Sequence, residues 1–192
     1  MLALDVSAYS GLITIAQWQA AKERGYGAAI VQAHGGRNPN PYCEATLRNA
    51  RLADLITGAY VLIMEGESGA AYADFARLAC MGEWEHLRAC FVDVEGYGAT
   101  EDQAWDCCGA IKALGQTYGI YTSAYFWRQI GDPPWSKTPL WFAHYETPPS
   151  LIPKYPIGKW FRAVGHQFLN TIQIAGFGAD VNLFNDTWIR GA

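Results

Sequence analysis

The chain has 192 residues, of which 51% are hydrophobic and 17% charged, and its formal net charge is −4. This is the composition of one globular domain, and it is too acidic to neutralise a run of phosphates, so no nucleic-acid partner is expected. No apolar run reaches the roughly 18 residues that a membrane-spanning helix needs, so no membrane partner is expected. Leu2–Val6 has the pattern of a strand, and Thr14–Arg24 that of a helix with Thr14 as N-cap and Gly25 past its end. A strand at Ala28–Ala33 leads through a polar loop, His34 to Tyr42, to a helix near Cys43–Leu55. Ala59–Met64 is the third strand, Ala70–Met81 the next helix, and Cys90–Glu95 the fourth strand. A helix over Glu101–Tyr118 follows Thr100, its expected N-cap. Beyond it the connections shorten, and Gly119–Thr122, Leu140–Tyr145, Val164–Phe168 and Ala179–Phe184 complete a set of eight strands.

Alternating strands and helices predict an α/β fold with a parallel sheet and crossover helices. Eight strands suggest a closed, TIM-like (β/α) barrel spanning 1–192 as a single domain. A full barrel of this kind takes about 250 residues, so some helices of the C-terminal half are expected to be missing.

The most informative stretch is Phe91-Val92-Asp93-Val94-Glu95-Gly96. Alternation along a strand puts Asp93 and Glu95 on one face and Val92 and Val94 on the other. Ionised carboxylates are costly to bury without partners, so two on the inner face of a strand point to chemistry. The same parity argument turns Asp5 inward against Leu4 and Val6, and Asp180 and Asn182 inward against Val181 and Leu183. Strands one and eight are neighbours in a closed barrel, which would bring Asp5 and Asp180 together at the mouth where such folds keep their sites. The competing reading is structural: Asp93 and Glu95 paired with buried Arg or backbone donors, and Asp5 and Asp180 only orienting other groups. Arg is scarce at inward strand positions, which favours chemistry for the first pair and leaves both readings open for the second. A metal held by Asp5, Asp93 and Asp180 is conceivable by charge, but no ligand spacing demands one, and neither metal nor cofactor is expected.

These residues, in order, resemble glycoside hydrolase family 25, the muramidases also called Chalaropsis-type lysozymes. The likeness rests on Leu4-Asp5-Val6-Ser7, Gly58-Ala59-Tyr60, Val92-Asp93-Val94-Glu95 and Gly119-Ile120-Tyr121-Thr122. It continues through Pro139-Leu140-Trp141-Phe142-Ala143-His144-Tyr145 and Asp180-Val181-Asn182-Leu183-Phe184. The resemblance implies cleavage of the β-1,4 bond between N-acetylmuramic acid and N-acetylglucosamine in bacterial peptidoglycan. It implies Glu95 as general acid/base, Asp93 as its partner, and Asp5 and Asp180 as supporting carboxylates. Residues i and i+2 on a strand lie about 6.5 Å apart along its axis, more than the 5–5.5 Å typical of a nucleophile and its acid, so Asp93 is expected to assist an attack by the substrate's own acetamido oxygen.

Tyr60, Tyr121, Trp141, Tyr145 and Gln167 are the expected glycan contacts, with Trp127 after the fifth strand as a further aromatic. The sequence departs from the family at His166-Gln167-Phe168, where Trp-Gln-Tyr is usual, and at Asn40-Pro41-Tyr42-Cys43, which lacks an acidic residue. It departs again at Val61-Leu62-Ile63, in place of a His and aromatic pair. Two other functions fit the same residues: a barrel that binds glycan without cleaving it, and a hydrolase of another N-acetylhexosamine polymer such as chitin. The odd count of 5 cysteines suggests free thiols and folding in a reducing compartment. With no signal peptide visible, the expectation is a monomeric phage-type lysin made in a cytosol, or the mature form of a secreted enzyme, acting at the bacterial cell wall.

Overall fold

Helix starts follow directly from local sequence. Thr14, Ser68, Thr100, Ser123 and Asn185 each accept a hydrogen bond from the backbone N–H three residues on. They open α1 (Ile15–Glu23), α3 (Gly69–Cys80), α4 (Glu101–Ala113), α5 (Ala124–Gln129) and α6 (Asp186–Arg190). Such caps satisfy donors that a helix cannot satisfy internally. In α1 and α4 the side chains of Gln17 and Gln103 return the bond to the cap residue. The remaining helix, α2 (Cys43–Leu52), has no side-chain cap.

A computed structural model describes residues 1–191. The strands are β1 (Leu2–Val6), β2 (Tyr26–Gly35), β3 (Ile56–Leu62), β4 (Cys90–Asp93), β5 (Tyr118–Thr122), β6 (Leu140–Ala143), β7 (Gly165–Ile174) and β8 (Phe177–Phe184). They close into a barrel in chain order, β1 through β8. From β1 to β7 every neighbouring pair is parallel.

The expectation of a wholly parallel sheet is wrong at one strand: β8 runs antiparallel to both β7 and β1. The cause is connection length. β7 extends to Ile174, so only Ala175 and Gly176 separate it from β8, and both have positive φ, 49° and 83°. Two such residues make the tight turn of an antiparallel hairpin, whereas a parallel partner needs a crossover of a dozen residues or more. The C-terminal half is shortened as expected, with only the short α5 between β5 and β6 and no helix between β6 and β7.

Two apolar layers hold the barrel. Leu4, Val6, Val31, Val61, Val92 and Val94 face outward and pack with Trp18, Leu47 and Tyr72 of the helices. Ala3, Ile30, Phe91, Trp141 and Phe184 fill the interior below the mouth. This division fixes the parity of every strand residue above them.

Candidate active site

Asp5 lies two residues beyond the interior residue Ala3, and Asp180 two before Asn182, so both point into the barrel. They are direct cross-strand partners in the β1–β8 pair. Because β8 is reversed, its N-terminal half reaches the rim where β1 ends. Asp93 is the last residue of β4, and Glu95 follows two residues past the strand rather than within it. The pairing continues beyond the strand: the Val94 N–H donates to the Tyr121 carbonyl and the Ile63 N–H to the Asp93 carbonyl. The next residue has to be glycine, since a Cβ at Gly96 would collide with the Ile63 carbonyl oxygen.

A polar network holds the carboxylates. Asp5 Oδ2 accepts from Asn182 Nδ2 at 2.7 Å and from Gln167 Nε2 at 2.9 Å. The same Gln167 nitrogen donates to Asp180 Oδ2 at 3.2 Å, while its carbonyl accepts from the hydroxyls of Tyr121 at 2.7 Å and Tyr145 at 2.6 Å. Thr171, a β-branched residue held at φ 47°, turns its N–H onto Asp180 Oδ1. Left-handed backbone is unfavourable for such a residue, and strain of this kind clusters at functional sites. Asp93 Oδ1 accepts the Glu95 N–H at 2.9 Å. Glu95 Oε1 is buried without a partner.

All four carboxyls are held above the usual carboxylate range, with burial the largest cause in each. Glu95 is pushed up to about 7 by burial, with the hydroxyl and N–H of Ser123 pulling the other way. Asp5 also reaches about 7, through burial and then the charge of Asp180, opposed by Asn182 and Gln167. Burial and the neighbouring Glu95 raise Asp93 well above its ordinary value, against the Glu95 N–H. Asp180 is raised by burial and lowered by Thr171. The ion pairs among the described residues, Met1–Asp186, Lys22–Asp54 and Arg51–Glu83, all lie away from this mouth. Protons, not cations, offset the charge here, and a set of raised carboxyls in a cleft suits acid–base work. Among the described residues no group of three His, Cys, Asp or Glu side chains is arranged to hold a metal.

The expected glycan contacts divide. Tyr60 joins Asp5, Ser7, Tyr9 and Asp180 in lining a cleft of about 390 Å³, and Tyr145 is exposed at the rim. Tyr121 and Gln167 are buried beneath them as parts of the network. Trp141 is 1% exposed, its indole N–H is held by Asn182 Oδ1 at 2.8 Å, and it fills the barrel below the mouth. Trp127 is likewise fully buried, donating to the Pro133 carbonyl and packed against Trp135 and Trp160.

Two of the departures from the family pattern have structural roles away from the cleft. His166 stacks on Phe142 at 4.4 Å, accepts from the Ser150 N–H and bonds the His144 carbonyl, pinning the β6–β7 loop. Asn40 bonds the Gln32 carbonyl and the Tyr42 N–H, pinning the β2–α2 loop. Sequence reasoning missed Ser123, which caps α5 and touches Glu95; its place just after the inward-reading fifth strand was the available signal.

Comparison with known proteins places the chain in a family and agrees with its fold. Residues 4–177 match the family described as Glycosyl hydrolases family 25. A Dictyostelium discoideum protein named probable GH family 25 lysozyme 2 is 28% identical, covering 94% of this chain and 89% of its own. A family GH25 lysozyme from Aspergillus fumigatus superposes with a TM-score of 0.82 at 20% identity, covering 99% of this chain and 97% of that one. A bacterial lysozyme from Streptomyces coelicolor gives 0.76 at 23% identity, over 96% and 92% of the two chains.

Proposed function

The chain belongs to glycosyl hydrolase family 25, and from that premise we propose that it is a muramidase cleaving the β-1,4 bond between N-acetylmuramic acid and N-acetylglucosamine in bacterial peptidoglycan. The observation that carries the reading is the raised, half-buried Glu95 beside the raised Asp93, with no cation nearby to hold either one ionised.

Glu95, pushed up to about 7, keeps a proton to give the glycosidic oxygen at mildly acidic and neutral pH. The charge of Glu95 raises Asp93, so which of the two carboxyls holds a proton depends on what binds. As the sugar's acetamido oxygen closes on the anomeric carbon, positive charge grows on that group. An ionised Asp93 stabilises it, which drives the proton onto Glu95 where it is needed. Departure of the leaving sugar empties Glu95 of its proton. It then acts as base for the water that opens the intermediate, giving net retention. Asp5 and Asp180, tied together through Gln167, border the cleft in which the uncharged sugars lie. The protein acts on its own, as a monomer without a cofactor, at the bacterial wall.

Mass spectrometry of digested wall fragments tests bond and sugar identity together, with Glu95→Gln as control. Removing the acid is expected to lower turnover by about 10²–10⁴-fold. Fragments ending in reducing N-acetylglucosamine, or equal activity in Glu95→Gln, would refute the assignment. Anomer-resolved analysis of the first product should show retention; an initially inverted product would rule out the acetamido route.

A further inference from the structure

A second opening, of about 320 Å³, flanks the mouth on the β5–β6 side, and Ser123, Tyr125, Arg128, His144, Lys154 and Tyr155 line it. Its electrostatics are the reverse of the Asp5–Asp180 cleft. It has two cations and no carboxylate in its wall, whereas the cleft has two carboxylates and no cation. This occurs in a chain with 18 acidic residues against 14 Lys and Arg. Among the described residues neither Arg128 nor Lys154 has a carboxylate within ion-pair distance. The Lys154 ammonium sits 5.4 Å from the centroid of the Tyr155 ring, whose edge meets His144 at 5.3 Å. The pocket wall therefore offers positive charge above an otherwise apolar floor that includes Phe142 and Ile157.

The opening adjoins the reacting centre at Ser123, which lines it and lies close enough to the Glu95 carboxyl to lower its pKa. We propose that the pocket receives the carboxylate-bearing peptide branch that muramic acid carries in the wall polymer, an inference that rests on the muramidase reading. A neutral glycan strand suits the acid-lined cleft. An anionic branch finds no cation in that cleft and is drawn to Arg128 and Lys154, so the placement of positive charge orients the polymer across the mouth. Both cations are exposed, so the preference is modest and screened by salt.

The test compares intact peptidoglycan with the same glycan strands stripped of peptide by an amidase. The double variant Arg128→Ala with Lys154→Ala should raise KM on peptide-bearing wall about five- to tenfold at low salt, leave kcat unchanged, and lose the difference at high salt. Its kinetics on stripped strands should match those of the wild type. A control, Arg24→Ala with Lys112→Ala, removes the same charge from the C-cap of α1 and the last turn of α4 and should change neither substrate. An equal loss on both substrates, no loss on either, or an equal loss in the control overturns the pocket assignment while the muramidase reading survives. A wild type that cleaves neither substrate overturns both.

Discussion

At the scale of single residues, the mouth is built on groups that folding would rather keep neutral. Asp5 rises from 3.8 to about 7 because it is buried and faces Asp180. Between those two values the folded chain binds a proton that the unfolded chain has released, so this residue's contribution to stability is complete below about 4 and is lost as pH rises through 7. Asp5→Asn keeps an acceptor for Asn182 and Gln167 and removes the titration. Melting temperature of the variant should match the wild type near pH 4 and exceed it near pH 7, by the equivalent of at least ~1 kcal/mol. Parallel curves for the two proteins across that range would contradict the assignment. Activity has a separate limit, since the proton on Glu95 is lost above about 7 and the rate should fall there.

At the scale of elements, the sharp feature is how β4 ends. Its last residue is Asp93, and Gly96 packs against the Ile63 carbonyl so that the chain carries Glu95 over the mouth. Gly96→Ala forces a methyl against the Ile63 carbonyl, which neither loop can relieve by a side-chain rotation. The expected result is a loss of about 1–3 kcal/mol in stability and a fall in kcat larger than any change in KM, read by chemical unfolding and by turnover of purified wall. Unchanged kcat would show that this loop does not set the position of Glu95. The reversed β8 is the companion feature, for only an antiparallel strand can present its first half at the rim where β1 presents its last residues.

At the scale of the whole molecule, Gln167 ties the far ends of the chain into one site. One amide links Asp5 near the N-terminus, Asp180 near the C-terminus, and the hydroxyls of Tyr121 and Tyr145. Gln167→Glu replaces a shared donor with a third carboxyl and should destabilise the fold by about 2–4 kcal/mol at pH 7, with recovery as pH falls toward 4. Melts at the two pH values measure it; a pH-independent loss would mean that packing, not charge, is what Gln167 contributes. The amino-acid sequence alone indicated the order of the eight strands and of the first four helices, the caps Thr14 and Thr100, and which face each carboxylate takes, because alternation and capping are local and need only near neighbours. It also carried enough ordered motif to indicate the family. Tertiary structure alone decided the direction of β8, since a ten-residue gap between two apolar runs conceals whether the chain crosses over or turns back. Solvent access was equally hidden: Trp141 has the same inward parity as Tyr60, yet depth along the barrel axis seals one ring beneath the mouth and leaves the other lining the cleft. Parity is a property of the strand, whereas depth depends on how neighbouring strands are staggered when the ring closes.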